Sequence, residues 1–179
     1  HAGHAGLVRR ARPRPGSRYA GLSHAAGAPP MTRSVDELLS ELQAFAPSPD
    51  GADNVHRLSE LLAGFAALPG CERVAPALLD LLERHPQADF GTPGPLVHAL
   101  ESQPAYADLL AGSLQRQPTE LTAWMANRLL NSRLPRDERS AWLRRLTAVA
   151  SHPKADAAVR DSAIRFLDFQ ASRQSGYQA

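Results

Sequence analysis

The stretch Thr119–Asn131, TELTAWMANRLLN, limits the possible folds more than any other part of the chain. Wound as a helix, it carries Trp124, Leu121, Met125, Leu129, Thr122, Ala126, Leu130 and Ala123 around most of its circumference. Only Glu120, Asn127 and Asn131 form a polar stripe, at i, i+7 and i+11. A helix that is apolar over so wide an arc packs on several sides, so this segment is expected at the centre of an all-helical domain. Arg128 interrupts the arc, because it falls between Trp124 and Leu121 on the wheel.

The rest of the chain reads as helices punctuated by proline, glycine and capping residues. Ser34-Val-Asp-Glu37 is a capping box ahead of Val35, Leu38, Leu39, Leu42 and Phe45 at helical spacing. Pro47–Gly51 makes a turn, and Asp53 or Asn54 is expected to cap a second helix through Val55, Leu58, Leu61, Leu62 and Phe65. A third is expected from Glu72 to Arg84, with Pro76 in its first turn. Thr92-Pro93 reads as N-cap plus N1 proline for a short fourth helix. Pro104 opens a fifth, Pro118 separates it from the sixth described above, and Leu134-Pro135 precedes a seventh carrying Trp142, Leu143, Leu146, Val149 and Ala150. An eighth buries Val159, Ala163, Phe166 and Leu167, with Asp156–Arg160 and Asp161–Arg165 at i,i+4. No segment alternates with period two for long enough to argue a strand.

Three helix ends share a pattern: Leu82-Glu-Arg-His-Pro86, Leu114-Gln-Arg-Gln-Pro118 and Val149-Ala-Ser-His-Pro153. Their prolines are 32 and 35 residues apart, about two helices each. That period matches helix-hairpin arrays of the HEAT type. The expected architecture is all-α: about eight helices stacked as antiparallel hairpins over residues 31–171, a disordered leader over 1–30 and a frayed tail over 172–179. A globular helical bundle is the competing arrangement.

Charge is divided along the chain. Residues 1–30 hold five arginines and no acid, whereas Met31 onward holds 15 Arg plus Lys against all 18 acids, a balance of −3. The body is therefore mildly acidic, which argues against a basic nucleic-acid-binding domain. Nineteen of the 20 basic residues are arginine. With the abundance of Ala, Leu and Pro, this reads as a GC-rich bacterial gene whose initiator is Met31. Cys71 is the only cysteine. It cannot form an internal disulfide and is expected to be inert and partly buried. No apolar run approaches the roughly 18 residues of a membrane span.

Candidate chemistry is sparse. Asp89-Phe-Gly91 spells a kinase triplet without the glycine-rich loop, the catalytic loop or the strand lysine that give it meaning. Gly91-Thr-Pro-Gly94 lacks the Gly-Lys-Ser/Thr ending of a phosphate cradle. The histidines past the leader are not paired at i,i+3 or i,i+4, so no metal site is expected. Asp36-Glu37 and Asp137-Glu138 sit where acids favour the helix dipole. No catalytic residue and no cofactor is expected. Arg128 must be hydrogen-bonded or paired if buried, with Glu101 or Asp108 as partner. At an edge, its fork would instead project beside Trp124 toward a partner's carboxylate. Asn127 and Asn131 either meet a partner's backbone or tie down a neighbouring loop. Trp124 is either core or interface anchor. His98 and Glu101 share the wet face of the fourth helix.

Gly94-Pro-Leu-Val-His-Ala-Leu-Glu101 and Pro118-Thr-Glu-Leu-Thr-Ala-Trp-Met-Ala-Asn-Arg-Leu-Leu-Asn131 together resemble a group of small all-helical immunity proteins of bacterial polymorphic toxin systems, of the contact-dependent and Rhs type. The resemblance spans roughly residues 36–168 and is sharpest over 94–131. It implies a cytoplasmic protein, neither enzyme nor cofactor-binding, that binds one cognate toxin domain and blocks it by occlusion. Contact with nucleic acid or membrane is not implied. The residues it singles out for partner contact are His98, Glu101, Trp124, Asn127, Arg128 and Asn131. A nuclease-type toxin would be basic, and Asp89, Glu101, Asp108 and Glu120 would offer it acidic groups. The other reading of the chain is a helical-repeat adaptor that binds some other protein.

Overall fold

In a computed structural model of the chain, which describes residues 33–175, every regular element is helical. Eight α-helices follow in order: α1 Val35–Ala44, α2 Gly51–Leu61, α3 Val74–Arg84, α4 Pro95–Glu101, α5 Tyr106–Arg116, α6 Glu120–Leu130, α7 Arg136–Ala150 and α8 Ala157–Ser175. Two short 3-10 turns, Phe65–Ala67 and Cys71–Arg73, link α2 to α3. The expected leader and residues 176–179 of the expected tail lie outside the described residues.

Local chemistry sets most helix starts. Glu37 N–H donates to Ser34 Oγ and Glu37 Oε2 accepts from Ser34 N–H, so the capping box forms as read from the sequence. Thr119 and Thr122 make the same reciprocal arrangement at α6. Two starts differ from expectation. The cap of α2 is Asp50, whose Oδ1 accepts from Ala52 N–H, and the helix begins at Gly51. Asn54 lies inside the helix and is fully buried. Its Oδ1 accepts from Ser48 N–H and its Nδ2 donates to the carbonyls of Ser48 and Asp89. It therefore ties two loops to α2 instead of capping it. The cap of α4 is Gly94, with Pro95 at N1. The cap-plus-proline pattern holds two residues later than Thr92-Pro93, whose peptide bond is cis. A Cβ at position 94 would lie 2.1 Å from the Phe90 carbonyl oxygen, so the chain reverses there only with glycine.

The odd-numbered helices touch in sequence, α1 on α3, α3 on α5 and α5 on α7, while α2 meets α4 and α6 meets α8. Beside these i, i+2 contacts, neighbouring helices also pack, α3 with α4, α5 with α6, α6 with α7 and most extensively α7 with α8. Helices α4 and α6 lack a comparable contact, so the all-helical fold accommodates both the hairpin stack and the globular bundle. The shared helix ends are cross-linked in the same order. Arg84 donates to the Leu42 carbonyl at the end of α1, a fork from Arg116 meets the Glu83 carboxylate at 2.7 and 3.1 Å, and His152 Nε2 donates to the Gln115 carbonyl. The Gln115 carbonyl lies in the last turn of α5, where carbonyls lack an intrahelical donor, and His152 supplies one. His152 Nδ1 accepts from Lys154 N–H. The two bonds together fix the Nε2–H tautomer.

One hydrophobic core runs through all eight helices, from Val35 and Leu38 through Leu78, Leu96, Leu110 and Met125 to Leu146 and Ala163. Phe90, from the kinase-like triplet, is buried and packs its ring 6.4 Å from that of Phe45. Asp89 accepts from Gly91 N–H. The triplet is a loop anchor. Cys71 is half-buried. The helix α8 continues to Ser175 where a frayed tail was expected, held by Arg173, which donates to Asn131 Oδ1 at 2.7 Å. Asp156 and Asp161 do not form the expected ion pairs among the described residues. Asp156 Oδ1 instead accepts from Val159 N–H at the start of α8, and Arg160 donates to the His152 carbonyl. No helix of the described residues is long and apolar enough to cross a membrane.

Candidate functional site

The helix α6 is central, as its composition requires, and packs on α5, α7 and α8. Its covered arc runs from Met125 through Thr122, Ala126, Leu130 and Ala123 to Asn127, all buried. Leu121 and Trp124 are half-buried and Arg128 is exposed. The apolar arc therefore opens on one side, and the arginine that breaks the pattern marks the opening.

Arg128 reaches across to the last residue of α4. Its Nε donates to Glu101 Oε1 at 2.6 Å and its second fork nitrogen to Oε2 at 3.2 Å. The guanidinium carbon lies 5.4 Å from the centre of the Trp124 ring. The Arg128 side chain is 46% exposed and that of Glu101 22%. The sequence reading named the right carboxylate, but the pair is not buried. The edge geometry is also realised, with the fork already filled by Glu101. The hydrogen bond to Glu101 and its charge raise the Arg128 pKa further, so the guanidinium stays charged. Tyr106, at the start of α5, completes the group. Burial raises its phenol above the ordinary value, and the Glu101 carboxylate adds to this against a smaller opposing effect of Arg128. His98 lies one turn before Glu101 on the exposed side of α4, with no side-chain hydrogen bond among the described residues. Thus α4, α5 and α6 bring together Glu101, Tyr106, Trp124 and Arg128, with His98 at the margin.

Asn127 and Asn131 go elsewhere. The polar stripe of α6 is the seam against α8. Gln170 Nε2 donates to Asn127 Oδ1 at 2.7 Å and to Asn131 Oδ1 at 2.9 Å, and Gln170 Oε1 accepts from Arg139 at 2.8 Å. Arg139 also donates to the Leu130 carbonyl at the end of α6. At the other end of the stripe, Ser162 Oγ donates to Glu120 Oε1. Neither side chain ties down a loop: their oxygens fasten α6 to α8. Asn127 is buried, and Asn131 is exposed with its oxygen shared between Gln170 and Arg173. Tyr106 and Gln170 were missed as members of these groups. Gln170 had a legible signal, since it continues the inward stripe of Val159 and Ala163, both buried, and half-buried Phe166, and is a polar residue at a core position.

Of the acids expected to steer a basic partner, Glu101, Glu120 and Asp89 are engaged internally, and Asp108 is exposed. The charge is nevertheless strongly polarised. Residues 33–101 hold 4 arginines against 11 acids, a balance of −7. Residues 102–175 hold 10 arginines and one lysine against 7 acids, a balance of +4. Acidic character therefore belongs to α1–α4, and the Trp124 group lies where the two halves meet. No group of three His, Cys, Asp or Glu side chains among the described residues is arranged to hold a metal ion. No family model, curated protein or solved structure matches this chain.

Proposed function

We propose that this chain is an immunity protein, acting in the cytoplasm, that binds a cognate bacterial toxin domain and blocks it by occlusion, without catalysis of its own. The observation that carries the reading is the Glu101–Arg128–Trp124 platform. A charged fork is held by two hydrogen bonds over an indole, at the open edge of a helix that is buried on its other sides except at Glu120. Trp and Arg are the side chains that most often dominate protein interfaces. Here both are ordered before any partner arrives, which lowers the entropy cost of binding. His98 and Tyr106 extend the same surface. Asn127 drops out as a direct contact and acts by holding α8 in place. The i, i+2 helix contacts favour a second reading, a helical-repeat adaptor whose partner is some other protein.

The immunity reading predicts a neighbouring toxin gene, and the test is co-expression with the toxin domain that gene encodes. Wild type should protect cells, while Trp124→Ala and Arg128→Glu should remove protection and leave the helical circular-dichroism signal intact. Full protection by both folded variants would refute the assignment of this face. Failure of the wild-type chain to protect would refute toxin neutralisation, and a stable complex with an unrelated protein would then support the adaptor.

A further inference from the structure

A second surface lies on the opposite, basic half. A groove of about 390 Å³ runs between the end of α5 and one face of α7. Leu114, Ala141 and Ala148 supply its apolar lining, with Leu114 buried at its floor, and Gln115, Arg144, Arg145 and His152 its polar lining. The α7 positions 141, 144, 145 and 148 recur at helical spacing, so they form one continuous face. Arg144 is exposed and makes no hydrogen bond or ion pair among the described residues. Arg145 lies over the Trp142 ring at 4.7 Å and likewise has no carboxylate partner. Two uncompensated guanidinium groups thus flank an apolar floor, in the half of the protein that carries +4.

We propose that this groove is the docking site for an acidic amphipathic helix of a partner protein. Alanines in the lining let a second helix approach closely, its apolar side chains over Leu114 and its carboxylates against Arg144 and Arg145. The arginines flank the floor instead of converging on a point, which does not suit a small molecule. Nucleic acid fits less well, for two reasons. The one aromatic ring beside the groove, Trp142, is buried and offers no base a stacking surface. The neighbouring cation Arg116 is already neutralised by Glu83, which breaks any continuous track for phosphates. His152 is committed to the Gln115 carbonyl and adds no free charge to the groove. This site is separate from the Trp124 platform and stands without the proposal made for it.

The experiment is fluorescence anisotropy with a labelled four-turn synthetic peptide that carries leucines at helical spacing and glutamates on both flanks. The wild-type chain should bind it saturably. Arg144→Glu should weaken binding by about tenfold or more, since it turns an attraction into a repulsion. Ala148→Trp should abolish binding by filling the groove. Arg144→Gln, which removes the charge with no lost contact, should weaken binding less than Arg144→Glu and guards against misfolding as the cause. A peptide with lysines for glutamates should not bind. The proposal is overturned if wild type fails to bind, or if the variants bind like wild type. Equal or tighter binding of a leucine-free polyglutamate peptide, or of a single-stranded oligonucleotide, would overturn it too.

Discussion

Gln170→Ala tests whether the polar stripe of α6 is an internal seam. Gln170 is 1% exposed, and its side chain makes three hydrogen bonds, to Asn127, Asn131 and Arg139. Truncation leaves the buried Asn127 oxygen without a donor, which costs about 1–3 kcal/mol. Asn131 keeps Arg173 and Arg139 keeps the Leu130 carbonyl, so those two losses are smaller. Removing the single buried methylene, Cγ, adds about 0.8 kcal/mol. The total is about 2–4 kcal/mol, or roughly 5–15 °C in Tm for a domain of this size. Urea denaturation followed by circular dichroism measures it. The control is Asn127→Leu with Gln170→Leu, which removes donor and acceptor together and should lie much nearer to wild type than Gln170→Ala. If Gln170→Ala costs less than about 0.5 kcal/mol, the seam is not a sealed network and the reasoning fails.

Ser113→Ala should leave stability unchanged or raise it by up to about 1 kcal/mol, because Ser113 Oγ is buried without a hydrogen-bond partner; a clear loss in the same urea assay would contradict this. Gly94→Ala should destabilise by about 1–3 kcal/mol or more, since its Cβ meets the Phe90 carbonyl, and a wild-type melting temperature would refute the tight reversal. Burial first, and then the Arg84 charge, hold His85 below its ordinary value of 6.5. The unfolded chain therefore takes up that proton first, and stability falls as pH drops below about 6.5. His85→Gln should flatten this slope between about pH 7 and pH 5, whereas parallel curves would show that His85 is not responsible. The Val159 N–H holds Asp156 below its ordinary value, with Gln87 assisting against desolvation, so its contribution is present at neutral pH and is lost as pH falls through the folded value. Asp156→Asn should reduce the acid-limb slope of stability, and an unchanged limb would refute the assignment.

The all-helical fold was legible because its signals are local. Capping pairs such as Ser34–Glu37, prolines at helix junctions and the periodicity of Leu38, Leu78 and Val149 each act within one or two turns. The repeat of helix ends was legible too, and its cross-links through Arg84, Arg116 and His152 give the pattern a physical reason. Where reading failed, several local solutions were compatible. Asp50, Asp53 and Asn54 can all cap a helix, and the choice of Asp50 depends on Asn54 being taken by two distant loops. Half of the candidate site was readable. Arg128 stood out as a charge in an apolar arc, and the need to pair it pointed to Glu101 or Asp108, of which the fold uses Glu101. The direction of the polar stripe was not readable, because an asparagine facing a partner and one facing α8 look alike until α8 is placed. Gln170 decides the matter, 43 residues away from Asn127.

The central claim is that this chain works by offering a preformed helical surface to a protein. Calorimetric titration of the purified chain with a cognate toxin domain, which the proposed function predicts a neighbouring gene to encode, tests this most directly. The account expects one site per chain, with the heat of binding lost in Arg128→Glu and retained in Arg144→Glu. Absence of binding by the wild-type chain, or binding that Arg128→Glu leaves untouched, would contradict it.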